Sequence, residues 1–349
     1  MEVTTRVEPL IEEADLARTG LPAGSGPTSA ATAGTPRRVD TRGKSPTAIA
    51  LARLRKDRVA MICAGIFLLF VLIAILAPLL TKLEGQNVTD KHFDLIDDYG
   101  FPTVGPNAQH WFGVEPRLGR DLFARFVYGA RPSLIVATSV TFLTTVIGVV
   151  VGLIAGFLGG WVDRVLSWII DFVLSLPYLL FAIAVPAVLL ATIVGSAEDA
   201  GPEQVATIRF YSLILVLSFF GWASLARLIR GEVLSLRERE FVAAAKVLGV
   251  PTRKVLFKEL LPNLVAPIVI SVSLALPSYI VTEAGLTFLG VGLTEPTPSW
   301  GVTIDAATNF YRADPLYLWI PVAAITILVL SLSLLGDSVR DAFDPRTRR

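Results

Sequence analysis

Residues 240–263 read EFVAAAKVLGVPTRKVLFKELLPN, a charged, helix-prone stretch lying between long apolar runs. Glu238 to Leu248 is built from good helix formers, including the run Ala243, Ala244, Ala245. Gly249 interrupts it, and Val250-Pro251 opens a second helix, since proline suits a first turn. Val255, Leu256 and Leu260 give that second helix an apolar edge, and Arg253, Lys254 and Lys258 a basic one. Pro262 is expected to end it. A water-facing helix pair between apolar runs can be gripped by a soluble partner, or it can simply lie on a membrane surface. The residues alone leave both readings open.

The surroundings supply the solvent. The 349 residues are 53% hydrophobic and 17% charged, with a mean hydropathy of +0.62. A soluble domain carries about 25% charged residues. Six runs are long enough to cross a bilayer, which takes about 20 apolar residues as a helix: about 59–80, 133–157, 165–194, 211–232, 264–288 and 317–336. Hydrocarbon offers the backbone no hydrogen bonds, so each run is expected to be helical. Pro177 and Pro186, and Pro267 and Pro277, predict kinks in the third and fifth. Gly148, Gly152, Gly156 and Gly160 recur at four-residue spacing in the second, a smooth strip suited to close helix packing. The expected fold is an all-α polytopic membrane protein with six transmembrane helices.

Lys and Arg placement sets the expected orientation. Arg53, Arg55, Lys56 and Arg58 precede the first run, Arg227 to Glu259 holds eight basic against four acidic residues, and the chain ends DPRTRR. With six spans, both termini and the helix pair fall on this basic side, which is expected to be cytoplasmic. Between the first and second spans the six bases are outnumbered by seven acids. The expected organisation is a disordered cytoplasmic tail (1–58), a first span (59–80), an extracytoplasmic loop (81–132), a core of five spans (133–338) containing the helix pair (238–262), and a short tail (339–349). Within the tail, Gly43-Lys44-Ser45 mimics the end of a phosphate-binding loop, but Arg38 stands where the pattern needs glycine. The chain is therefore expected to bind no cofactor and no ATP of its own.

In the extracytoplasmic loop, Leu118, Leu122 and Phe126 recur every four residues, as do Arg117, Asp121 and Arg125. This spacing predicts a short amphipathic helix at the membrane interface, with i,i+4 ion pairs. Gly119, Arg120 and Asp121 serve either as architectural support or in gating and docking. Asp171 and Arg227 lie at similar depth, about 10 Å into spans three and four, and are expected to pair. Glu283 is expected near the outer end of span five, either as an outer-gate residue or, the favoured reading, reaching the headgroups. His92 and His110, the only histidines, are expected to be solvated rather than metal-bound, and nothing resembles a catalytic constellation. The net charge of +1 gives no reason to expect nucleic acid as a partner. Neither inverted repeats nor a midplane charge cluster suggests a secondary transporter.

The segment at 240–263 resembles the cytoplasmic coupling loop of ABC importer permeases. That signature runs Glu-Ala-Ala, three residues, Gly, nine residues, Ile, one residue, Leu-Pro. Ala244, Ala245, Gly249, Leu261 and Pro262 match it, while Ala243 and Glu259 replace its Glu and Ile. Residues 110–134, 222–242, 283–301 and 334–346 narrow the resemblance to the dipeptide/oligopeptide type, the DppC or OppC class. The resemblance implies a type I permease fold. It also implies a sister permease similar to DppB or OppB, two ABC ATPases (DppD/DppF- or OppD/OppF-like, separate or fused) that bind ATP and Mg, and an extracytoplasmic solute-binding protein. The implied activity is ATP-driven import of di- or oligopeptides by alternating access, with nickel or another small solute as the rival cargo.

Overall fold

The structure, a computed structural model, describes residues 46–195 and 201–344. Most of the expected N-terminal tail, including Gly43-Lys44-Ser45, and residues 345–349 lie outside the described residues. Every regular element among those described is helical.

Residues 46–58, expected as part of a disordered tail, contain helix α1 (Pro46–Leu54). Its sequence, PTAIALARL, consists largely of good helix formers behind an N-terminal proline. The guanidinium of Arg53 donates to the carbonyls of Ala342 (3.3 Å) and Asp344 (3.4 Å), tying α1 to the far end of the chain. Asp57 then caps α2 (Arg58–Glu84) by accepting from Val59 N–H.

Five helices are long and apolar enough to cross a membrane without a sharp break: α2, α3 (Leu122–Leu158), α6 (Pro202–Leu236), the run Thr252–Phe288, and α11 (Pro315–Phe343). The expected third span is two helices, α4 (Gly160–Ser175) and α5 (Tyr178–Val194), bent by 84°. Pro177 causes the break. It lacks an N–H and forces Leu176 into extended backbone (φ −76°, ψ 136°). Pro186 and Pro277 stay inside α5 and α9 (Val265–Phe288).

α3 packs along α6, and the reason is the glycine strip. A Cβ added to Gly148, Gly152 or Gly156 would stand 2.7–2.9 Å from a backbone oxygen or side chain of α6. Gly160 does not belong to the strip, because α3 stops at Leu158 and Gly159 turns the chain at φ +67°.

α2, α3, α9 and α11 meet around Trp300 of α10 (Trp300–Ala307), which is fully buried and donates its indole N–H to Phe126 O (3.0 Å). A second cluster joins α3, α5, α6 and α9, and a third gathers α3 and α6 onto the 240–264 segment. Large apolar side chains such as Ile62, Leu69, Ile75, Phe142 and Leu180 face outward along these helices, as expected where lipid is the solvent.

Candidate functional site

The elbow at 240–264 is built from α7 (Glu240–Val247), a bend, and a second arm. The bend is a Schellman motif: Val250 N–H bonds Ala245 O and Gly249 N–H bonds Lys246 O, each at 3.0 Å. Gly249 takes the left-handed conformation this requires (φ +70°). Pro251 accepts from Lys254 N–H (2.8 Å) and starts α8 (Thr252–Lys254).

Pro262 does not end the second arm. The backbone passes through a π turn (Val255–Leu260) and a 3-10 turn (Leu261–Leu264) straight into α9. Pro262 falls in the first positions of the 3-10 turn, where its missing N–H interrupts little. The elbow is thus one continuous piece with the fifth span.

The underside of the elbow is anchored. Val242, Ala245, Val255, Leu260 and Leu264 are buried against Leu153 of α3 and Ile229 and Val233 of α6. Lys246 Nζ stands 5.2 Å from the ring centre of Phe157, a cation–π contact with the end of α3. The upper side is bare. Ala244 is exposed, and Val247 and Leu248, flanking the bend, are 88% and 80% exposed. No other described large apolar side chain is as exposed as Val247. Arg253, Lys254 and Lys258 are exposed beside them.

At the opposite ends of α3 and α9 the expected amphipathic helix is absent. Residues 113–121 form a tight loop in which Arg117 and Gly119 have positive φ (69° and 63°), conformations that stop a helix. Gly119 is also pressed against His92, whose carbonyl oxygen would lie 2.3 Å from an added Cβ. Asp121 is the N-cap of α3, accepting from Ala124 N–H (2.7 Å), and the helix then runs unbroken into the membrane. The predicted ladder of Arg117, Asp121 and Arg125 does not form.

Arg125 and Arg120 instead reach Glu115 and Glu295. Arg120 pairs with Glu115 through Nε and holds Glu295 with a two-pronged grip at 3.1 Å. Arg125 lies 2.6 Å from Glu295 and 3.2 Å from Glu115, which also accepts from Tyr317 Oη (3.2 Å). Glu115 and Arg125 are buried; the side chain of Glu295 is 40% exposed. Burial pushes the Glu295 carboxyl up, but Arg125 and Arg120 beside it more than offset this and hold it below the usual glutamate range. Burial likewise opposes the charge on Arg120, and Glu115 and Glu295 overcome it, raising the guanidinium above its ordinary value. The clamp joins the loop before α3, the loop 289–299 and the start of α11.

His110, expected in solvent, is buried and bonds Asp121 (2.8 Å), with His92 packed edge-on at 5.0 Å. Glu84 fixes the adjoining turn by accepting from Trp111 N–H (2.7 Å). Glu283, expected at the headgroups, is fully enclosed, with Thr287 donating to its Oε1 (3.1 Å).

Asp171 and Arg227 do come together, at 2.6 Å, on a face that is open in the isolated chain. A neighbouring pair, Asp163 with Arg230, escaped sequence reading. Its signal was present: Arg227 and Arg230 are three apart on α6, and each faces an acid of α4.

The family described as "Binding-protein-dependent transport system inner membrane component" matches residues 148–349, and "N-terminal TM domain of oligopeptide transport permease C" matches residues 45–95. The dipeptide transport system permease protein DppC of Alkalihalophilus pseudofirmus is 34% identical over 304 residues, 87% of this chain and 91% of that protein. The oligopeptide transport system permease protein OppC of Bacillus subtilis is 32% identical over 92% of this chain and 96% of its own length. The glutathione transport system permease protein GsiD of Salmonella typhimurium is 36% identical, with coverage of 85% and 89%. An anchored elbow, long apolar helices and relatives aligned over nearly their whole length agree, and the chain belongs to the binding-protein-dependent inner membrane component family as an ABC importer permease of the DppC/OppC type.

Proposed function

We propose that this chain is one of two permeases in an importer that moves di- and oligopeptides into the cell, and that the elbow is where a separate ATPase grips it. The observation that carries the coupling role is the pair Val247 and Leu248. Two large apolar side chains held bare at the tip of the bend, over a packed underside, are suited to burial by a partner. The ATPases, similar to DppD and DppF or OppD and OppF, would bind ATP and Mg and seat Ala244, Val247, Leu248 and the Gly249-Val250-Pro251 bend. A DppB- or OppB-like sister permease would complete the path, and a solute-binding protein would deliver cargo to the end carrying Gly119, Arg120 and Asp121. Peptide cargo is supported by the dipeptide, oligopeptide and glutathione permeases that the chain resembles. The nickel reading has no such support.

In this reading the elbow, both termini and the basic 227–259 segment face the cytoplasm. ATP shifts the equilibrium between inward- and outward-facing states by as much as its affinities for the two differ. The elbow passes that preference to α3, α6 and α9, which it is packed against. Val247→Asp and Leu248→Asp test the coupling role. Both should abolish co-purification of the ATPases and peptide uptake while the chain remains in the membrane with its sister permease. Unchanged uptake by the double variant would refute it.

A further inference from the structure

A cavity of about 420 Å³ opens between α3, α6 and α9, and six hydroxyls line it: Thr144, Thr145, Ser224, Ser271, Ser278 and Tyr279. No charged side chain takes part. Three of the groups lie at one depth. Ser224 is about 18 Å from the end of α6 at Leu236, Ser278 about 20 Å from the start of α9, and Thr144 about 21 Å from the end of α3, at 1.5 Å per residue. Distances of this size place the three hydroxyls well inside a hydrocarbon layer about 30 Å thick.

Threonine and serine hydroxyls in a membrane helix normally donate back to a carbonyl one turn earlier, and Thr144 and Thr145 do so. Among the described residues, the hydroxyls of Ser224, Ser271 and Ser278 have no hydrogen-bond partner, and Ser224 and Ser278 are exposed. Acyl chains cannot satisfy them, and a polar group left unbonded in hydrocarbon costs free energy. The phenol of Tyr279 is packed into the gap left by Gly221, where an added Cβ would lie 2.1 Å from its oxygen. The tyrosine is therefore held in place as part of the wall.

A second cavity of about 430 Å³ shares Thr145 with the first and continues toward the elbow. Its lining is apolar apart from that threonine and includes Val149 and Leu153 of α3 with Leu256, Phe257 and Leu261 of the elbow's own second arm. A hydroxyl wall inside the membrane is thus followed by an apolar stretch whose far side is formed by the elbow's second arm.

The geometry points to the hydroxyl wall as this chain's contact surface for the main chain of a peptide in transit. Hydroxyls both donate and accept, which matches the alternating N–H and C=O groups of an extended peptide. The lack of charge leaves side chains and termini of the cargo unselected. The assignment rests on the import reading above and names what that reading leaves open: which residues meet the cargo, and through which groups.

The test uses the assembled transporter in vesicles, with Cys63→Ala removing the single native thiol. Ser224→Cys, Ser278→Cys and, as a lipid-facing control, Leu69→Cys are labelled with a small cationic methanethiosulfonate. Ser224→Cys and Ser278→Cys should react about tenfold faster than Leu69→Cys or more, because the thiolate is the reactive form and hydrocarbon suppresses it. Trialanine should slow that labelling, and Ser224→Ala/Ser271→Ala/Ser278→Ala should raise the KM for trialanine uptake by about tenfold. Labelling as slow as the control, with normal trialanine uptake by the unmodified transporter, overturns the wall and leaves the import reading standing. Fast labelling with no uptake of trialanine by the unmodified transporter overturns the peptide ligand and the import reading together.

Discussion

Substituting Gly152 by alanine tests the close contact between α3 and α6. The new Cβ would stand 2.7 Å from Ala226 O and 2.8 Å from Ile229 Cβ, where ordinary contacts begin at 3.4 Å. α6 must withdraw by about 0.7 Å, and its backbone oxygen has no flexible end that could yield instead. Overpacking of this kind costs about 1–3 kcal/mol. Alanine recovers part of that, up to about 1 kcal/mol, by its better helix propensity. Gly231, on α6 itself, isolates the second effect, because nothing lies within 4 Å of its Cβ position. Gly231→Ala should be neutral or stabilising, and Gly152→Ala should fall below it by about 1–3 kcal/mol, roughly five- to 150-fold in the unfolding equilibrium. Unfolding of the purified chain in mixed micelles, followed by tryptophan fluorescence, reads this out, and Trp222 sits at the neighbouring contact with Gly148. Gly156→Ala should behave like Gly152→Ala, since Val233 Cβ would be 2.7 Å away. If Gly152→Ala and Gly231→Ala unfold alike, the strip does not set the spacing of α3 and α6.

Three further outcomes follow from described geometry. Glu283→Gln should assemble normally, whereas Glu283→Lys, an uncompensated charge at a fully enclosed site, should cost about 3–5 kcal/mol and show as lost membrane yield. The carboxyl of Glu295 is held below its ordinary value, so the clamp's contribution is present above the usual glutamate range and is lost as pH falls through the lowered one. Relative to the intrinsic exchange rate at each pH, the protection of amides in residues 289–299 should fall on acidification below about pH 4.3 in the native chain and should not show that fall in Glu295→Gln. Gly249→Val should strain the left-handed bend by about 1–2 kcal/mol and reduce ATPase co-purification, and Gly249→Asn, which tolerates that conformation, should restore most of it.

The parts of the fold that the sequence discloses are those governed by local periodicity. Apolar run lengths place the long helices, four-residue glycine spacing places the face of α3 that meets α6, and depth counting pairs Asp171 with Arg227. The elbow is legible because its helix formers, glycine and proline all act within a few residues. The far end is not, since Arg120 and Arg125 meet Glu295 across 170 or more positions and no local pattern reports such a pairing. Four-residue spacing there suggested a separate helix, but positive φ at Arg117 and Gly119 ends that option, and the N-cap preference of Asp121 moves the start to Leu122. Pro177 reads in the sequence as a kink; its 84° bend needs the adjacent Leu176 extended as well.

The second arm of the elbow changes winding three times before it becomes a membrane helix: a single α turn, a π turn over Val255–Leu260, then a 3-10 turn over Leu261–Leu264. A π turn takes in more residues than an α turn, and a 3-10 turn fewer. A loose coil therefore sits directly against a tight one, and residues can pass from one pattern to the other with few bonds broken. Under the proposed coupling role, such a joint would let the second arm turn about the axis of α9 as well as tilt, and a push at the tip would reach the membrane in part as torque.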